Sequence, residues 1–111
     1  MKVCILGYNL TSLALAKALV KKEIFVDLFY EKKNTKIDTT RTIGISKSNI
    51  DFFNREITNI KKMLWPIKKI KIFTENSNEK EILKFEDQKD NLFSILQNQK
   101  IFNQLIIELK R

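Results

Sequence analysis

The sequence predicts an α/β fold: a parallel βαβ unit over residues 1–31, then an inserted antiparallel β-hairpin and a closing helix. Three observations carry that prediction. A short apolar run, Lys2-Val3-Cys4-Ile5-Leu6, is broken by Gly7. A stretch of strong helix formers follows, including Leu13, Ala14, Ala16, Ala18 and Leu19, with no Pro or Gly before Lys22. A second apolar run, Phe25-Val26-Asp27-Leu28-Phe29-Tyr30, leads directly into an acid, Glu31.

The order of those elements has a specific physical meaning. A helix N-terminus offers free backbone N–H groups and a favourable dipole, which suit a phosphate. In the G-x-G-x-x-G loop the first glycine makes the tight turn and the second admits the pyrophosphate. The third lets helix and strand pack closely. An acid about 20 residues further on accepts hydrogen bonds from the ribose hydroxyls. Gly7-Tyr8-Asn9-Leu10-Thr11-Ser12 occupies the position of that loop. Gly7 keeps the first glycine, Asn9 stands at the second and Ser12 at the third. Asn tolerates left-handed backbone better than most residues, yet its side chain takes room meant for phosphate. Ser12 is small enough for close packing. The unit therefore reads as Rossmann-like and dinucleotide-binding, with Gly7, Asn9, Leu10, Ser12 and Glu31 as candidate cofactor contacts. An ordinary βαβ crossover with a glycine turn is the alternative.

Composition narrows the class. With 111 residues the chain is one domain or part of one. Its apolar and charged fractions are those of a folded globular protein. No apolar run approaches the ~20 residues of a membrane span, and the start does not read as a signal peptide. The lone cysteine, Cys4, lies within the first strand and is expected to be a buried, inert thiol in a reducing, cytoplasmic setting. One Cys and no His leave no zinc site to build. The net charge of +8 suggests nucleic acid only superficially. Lysine outnumbers arginine 18 to 3, in a chain also rich in Ile and Asn, as codon bias in an AT-rich genome produces. The lysines are spread along the chain and not gathered into a strip with interleaved aromatics, so a nucleic-acid partner is not expected.

Beyond the βαβ unit, residues 32–40 are polar and read as a loop. Arg41 follows, one of three arginines. A guanidinium offers a phosphate a bidentate fork that lysine cannot mimic; a surface ion pair is the equal alternative. Residues 46–57 predict a helix capped by Ser46 or Ser48, with Ile50, Phe53 and Ile57 as a core-facing stripe. Residues 59–64 continue as a short helix or turn, which Trp65-Pro66 ends. The period then changes to two. Ile67, Ile70, Ile72 and Phe73 read as one strand and Ile82, Leu83 and Phe85 as another, with a turn at Asn76-Ser77-Asn78-Glu79. That places the hairpin at 67–86. After a polar connection at 87–91, residues 92–96 form a short apolar segment. Residues 98–110 predict a helix presenting Ile101, Leu105, Ile106 and Leu109 on one face. In a doubly wound fold such a helix hands on to a further parallel strand, which implies a front portion of something longer.

Together these residues resemble a known family. Gly7-x-Asn9-x-x-Ser12-Leu13-Ala14-Leu15-Ala16-x-x-Leu19, then Glu31, then Arg41-x-Ile43-x-Ile45-Ser46 resembles the start of the flavin-dependent aromatic hydroxylases, with the ubiquinone-biosynthesis branch the nearest in pattern. Pro66-Ile67, the hairpin and Asn98-x-x-Ile101-x-x-x-Leu105 keep the family's order. The resemblance covers essentially the whole chain and only the first part of a family member. It implies a glutathione-reductase-type FAD domain interrupted by a β-rich substrate region. Gly7, Asn9, Leu10 and Ser12 would lie under the FAD pyrophosphate, and Glu31 would hold the adenosine ribose. Arg41 would reach the pyrophosphate, and Asn98 would lie near the flavin side. The implied activity is hydroxylation of an aromatic ring, with NAD(P)H as electron donor and a small aromatic or polyprenyl-phenol substrate. The isoalloxazine carries that chemistry, so no catalytic residue is assigned here. A peripheral contact with the inner membrane would suit a lipid-borne quinone precursor, although the diffuse lysines do not mark one.

The chain departs from the family at two loop glycines and before Arg41, where Thr39-Thr40 replace an Asp-Gly pair and Asp38 is displaced by one. Two other readings therefore stand beside the hydroxylase. One is a non-catalytic remnant or scaffold that keeps the βαβ unit. The other is an NAD-dependent oxidoreductase fragment; Glu31 suits a ribose diol and would repel a 2′-phosphate, so NADP is the least suited ligand.

Overall fold

Parallel strands need a crossover between them, and the first 29 residues supply one. In the computed structural model, which describes residues 1–31, 40–73, 75, 81–86 and 93–110, β1 (Lys2–Leu6) and β2 (Phe25–Phe29) lie parallel. They run in register from Lys2 opposite Phe25 to Leu6 opposite Phe29. Helix α1 (Leu10–Lys21) connects them. It begins three residues earlier than its helix formers suggest, because Asn9 caps it. It ends without a glycine: Lys22 and Ile24 donate back to the Leu19 carbonyl at 3.0 and 3.1 Å. Between them Glu23 takes the left-handed conformation at φ 61°.

A second, antiparallel sheet has the order β3-β7-β4. Its strands are β3 (Thr42–Ile45), β4 (Trp65–Ile67) and, in the centre, β7 (Phe93–Gln97). Pro66 lacks a donor and is tolerated because β4 is an edge strand. β5 (Lys69–Phe73) and β6 (Glu81–Glu86) form a separate antiparallel hairpin, irregular at Ile72/Phe73. The single strand expected from Ile67 to Phe73 is therefore two strands in two sheets, divided at Lys68. The turn expected at 76–79, the loop at 32–39 and the connection at 87–91 lie outside the described residues.

Helix α2 (Lys47–Glu56) is capped by the Ser46 hydroxyl, which accepts from the Asn49 N–H at 3.3 Å. Its stripe is shallower than expected. No residue within it is fully buried; Phe53 packs half-buried against the core, and the C-cap Ile57 enters it at 5 % exposure. Helix α3 (Asn98–Leu109) contributes more of the described core than any other element, through Ile101, Phe102 and Leu105. These pack with Leu13, Ile57, Ile60 and Leu96 in one cluster, which joins α1 to α3 and to the central strand β7.

Cys4 corrects an expectation: it is exposed, not buried. Strand side chains alternate, and Val3 and Ile5 take the covered face. Cys4 shares the other face with Leu6 and, on β2, Phe25 and Phe29, all of them exposed. On the same face Lys2 pairs with Asp27 at 2.9 Å, and that bond raises the lysine's pKa above its ordinary value.

Candidate functional site

The carboxyl ends of β1 and β2 open onto a cavity of about 460 Å³, lined by Leu6, Gly7, Tyr8, Phe29, Tyr30 and Glu31. Gly7 fixes its floor. The Gly7 N–H donates to the Phe29 carbonyl at 2.8 Å, which ties the loop to β2. Its φ of 141° lies where side chains are rarely found, and a Cβ there would come within 2.7 Å of Ser12 Oγ. Glycine is required at this position for both reasons.

The chain then turns into α1. Asn9 is the N-cap in ordinary extended backbone, φ −118° and ψ 177°. Its Oδ1 accepts from the Ser12 N–H at 2.8 Å and from the Ser12 hydroxyl at 3.0 Å. The Asn9 carbonyl accepts from the Leu13 N–H at 3.0 Å. The Leu13 bond is the first regular turn of the helix, and the Ser12 N–H is one of the four donors that a helix start leaves over. The N–H groups of Leu10 and Thr11 have no partner among the described residues. They sit at the positive end of the helix dipole. Ser12 is buried beneath the loop, and Leu10 packs its side chain against the core. Glu31 is exposed just past the end of β2, on the wall of the cavity whose floor is Gly7.

Arg41 and Asn98 form a second group. The Asn98 N–H, at the start of α3, donates to the Arg41 carbonyl at 3.0 Å, so two residues far apart in sequence are neighbours. Arg41 is exposed, and its guanidinium pairs with no acid among the described residues. Neither residue lines the cavity at Gly7 and Glu31.

Three aromatic side chains join the first group to α3. Tyr8 and Tyr30 are stacked, with ring centroids 4.0 Å apart and planes 23° apart. Tyr8 also meets Phe102, one turn into α3, edge-on at 5.4 Å and 88°. Burial, and then the neighbouring Tyr30 phenol, raises the Tyr8 pKa above its ordinary value. The loop motif does not include these rings. Their signal in the sequence is position: Tyr8 follows Gly7, and Tyr30 precedes Glu31.

The chemistry on offer is recognition. Two N–H donors without a partner among the described residues, at a helix start, suit an anion, and the Glu31 carboxylate in the cavity beside the Gly7 turn suits hydroxyl donors. The described residues hold no cluster of three or more metal-ligating side chains. No described helix is long and apolar enough to cross a membrane.

No family model and no curated protein matches the sequence. Its structure does match solved ones. HpxO from Klebsiella pneumoniae, complexed with FAD and uric acid, superposes over 98% of this chain with a TM-score of 0.75 and 14% identity. A single-residue variant of HpxO complexed with FAD gives 0.76 over 98% at 13% identity. The 2,6-dihydroxypyridine-3-hydroxylase from Arthrobacter nicotinovorans gives 0.68 over 94% at 10% identity. The matches span 28%, 29% and 25% of those chains respectively, so this chain covers little more than a quarter of their length. At such identities the likeness is one of fold. The chain has the α/β fold class that its sequence predicts: a Rossmann-like βαβ unit with an antiparallel hairpin inserted after it.

Proposed function

We propose that this chain is the FAD-binding part of a flavin-dependent monooxygenase that hydroxylates an aromatic ring, in ubiquinone biosynthesis. The observation that carries this reading is that the Gly7 turn leading into α1 and the acid Glu31 line one cavity, within a fold shared with FAD-complexed HpxO. The residues present fit the adenosine-diphosphate half of such a cofactor. Gly7 makes the tight turn into α1 at a φ of 141° that a side chain would rarely allow, and Leu10 and Thr11 present N–H groups with no partner among the described residues.

FAD, when bound, supplies the oxygen-transfer chemistry, with NAD(P)H as electron donor. The chain's own part is binding and orientation. Leu10 and Thr11 donate to the pyrophosphate from the backbone, and Ser12 joins them once Asn9 moves aside. Glu31 accepts from the ribose hydroxyls. Arg41 adds a cation at the pyrophosphate, and Asn98 stands toward the flavin end. The hairpin belongs to the substrate region. The substrate is a small aromatic or polyprenyl phenol; uric acid on HpxO is a small heteroaromatic of comparable kind. A peripheral membrane contact would serve the polyprenyl case.

Asn9 supports a second reading. Its side chain already holds the Ser12 N–H, as it would in a scaffold that no longer takes a cofactor. Calorimetric titration with FAD separates the two. A cofactor site gives a 1:1 complex that Glu31→Ala weakens about tenfold, by removing a charged acceptor worth roughly 1.5–3 kcal/mol before screening. A chain that ignores FAD both as it stands and as Asn9→Gly is a scaffold.

A further inference from the structure

Tyr8 and Tyr30 both line the cavity that holds Glu31. Their rings are stacked at 4.0 Å. Tyr8 is braced by Phe102, which is 6 % exposed and part of the main core. Tyr30 is 47 % exposed, so part of its ring surface faces solvent. An aromatic ring held from behind and open in front is a stacking platform, and its ordering entropy is already spent in the free protein.

The neighbour of that platform indicates what stacks on it. Tyr30 is followed immediately by Glu31, and both lie beyond the last residue of β2, on the wall of one cavity. In a nucleoside the base and the ribose diol are carried on one sugar ring. A site for both needs a flat apolar surface beside a hydroxyl acceptor, which Tyr30 and Glu31 together provide. We propose that Tyr30, held in place by Tyr8 and through it by Phe102, is the surface on which the purine base of the bound nucleotide stacks. Tyr8 is the positioning residue of the pair. The inference rests on the reading of this cavity as a nucleotide site and adds the residues that recognise the base.

The test titrates the 111-residue chain with ADP and with ribose 5-phosphate, which carries the sugar and a phosphate without a base. Tyr30→Leu weakens ADP roughly tenfold, in keeping with the loss of one base–aromatic stack. Tyr30→Phe keeps ADP affinity within about twofold, since the face and not the hydroxyl does the work. Neither variant changes the affinity for ribose 5-phosphate. In the unsubstituted chain, ADP shifts the Tyr30 ring protons upfield through the ring current of the base, a readout that survives misfolding of a variant. A folded Tyr30→Leu chain that binds ADP as tightly as its parent overturns the proposal, as does ADP binding without the ring-current shift. Both results leave the nucleotide site standing. Failure of ADP and FAD alike to bind the parent chain and Asn9→Gly removes the nucleotide site, and this inference with it.

Discussion

Replacing Asn9 by glycine should tighten FAD binding. In the free protein Asn9 Oδ1 takes both the N–H and the hydroxyl of Ser12, at 2.8 and 3.0 Å. A pyrophosphate that uses the Ser12 N–H must first displace that side chain, and an N-cap of this kind is worth about 1 kcal/mol. Glycine removes the competitor and leaves a third donor pointing at the anion. The variant no longer spends the roughly 1 kcal/mol needed to displace the cap, so affinity should rise about fivefold. Stability changes little. Glycine is an acceptable N-cap, only a few tenths of a kcal/mol below Asn, and its added freedom when unfolded costs at most about 1 kcal/mol. Calorimetry with FAD measures the gain, and riboflavin, which lacks the diphosphate, is the control. A folded Asn9→Gly chain that binds FAD no tighter than its parent would refute the reasoning, because the Ser12 N–H would then be no part of the phosphate site.

Two further predictions concern residues at positive φ. Gly7→Ala combines the φ of 141° with a Cβ only 2.7 Å from Ser12 Oγ, so it should lower stability by about 1–3 kcal/mol and abolish FAD retention. Thermal unfolding and gel filtration with FAD check both parts. Glu23→Gly runs the other way. Glu23 sits at φ 61° on an exposed turn, and glycine relieves that strain for a gain of up to about 1 kcal/mol, read as a higher Tm with unchanged FAD affinity.

The elements legible in the sequence were those whose signal is local and repeats. The apolar run of β1, the helix formers of α1, the Ser46 cap and the 98–109 stripe each state their own structure within one or two turns. Strands β3, β4 and β7 did not, because they have only 4, 3 and 5 residues and are made strands by one another. Nothing between Ile67 and Ile70 marks the change of sheet except the exposed pair Lys68-Lys69. Cys4 misled because a strand's apolar run does not say which of its faces is covered. In the site, Gly7 to Ser12 and Glu31 follow from spacing. The meeting of Arg41 with Asn98 depends on β3 pairing with β7, a long-range register with no local sign. The stack of Tyr8 on Tyr30 is of the same kind, since it exists only once the two strands lie side by side.

Apart from the Asn9 cap on Ser12, the bonds that frame the site are between main-chain atoms: Gly7 N to Phe29 O, Leu13 N to Asn9 O, and Asn98 N to Arg41 O. A frame of that sort is indifferent to most substitutions. Side chains at Arg41, Asn98 or Glu31 can be exchanged one at a time while the scaffold that holds them stays put, so a loss of binding in such variants reports on recognition and not on collapse. The same indifference lets a shape outlast the residues that once filled it, and two proteins can share this cradle while agreeing on few of its letters.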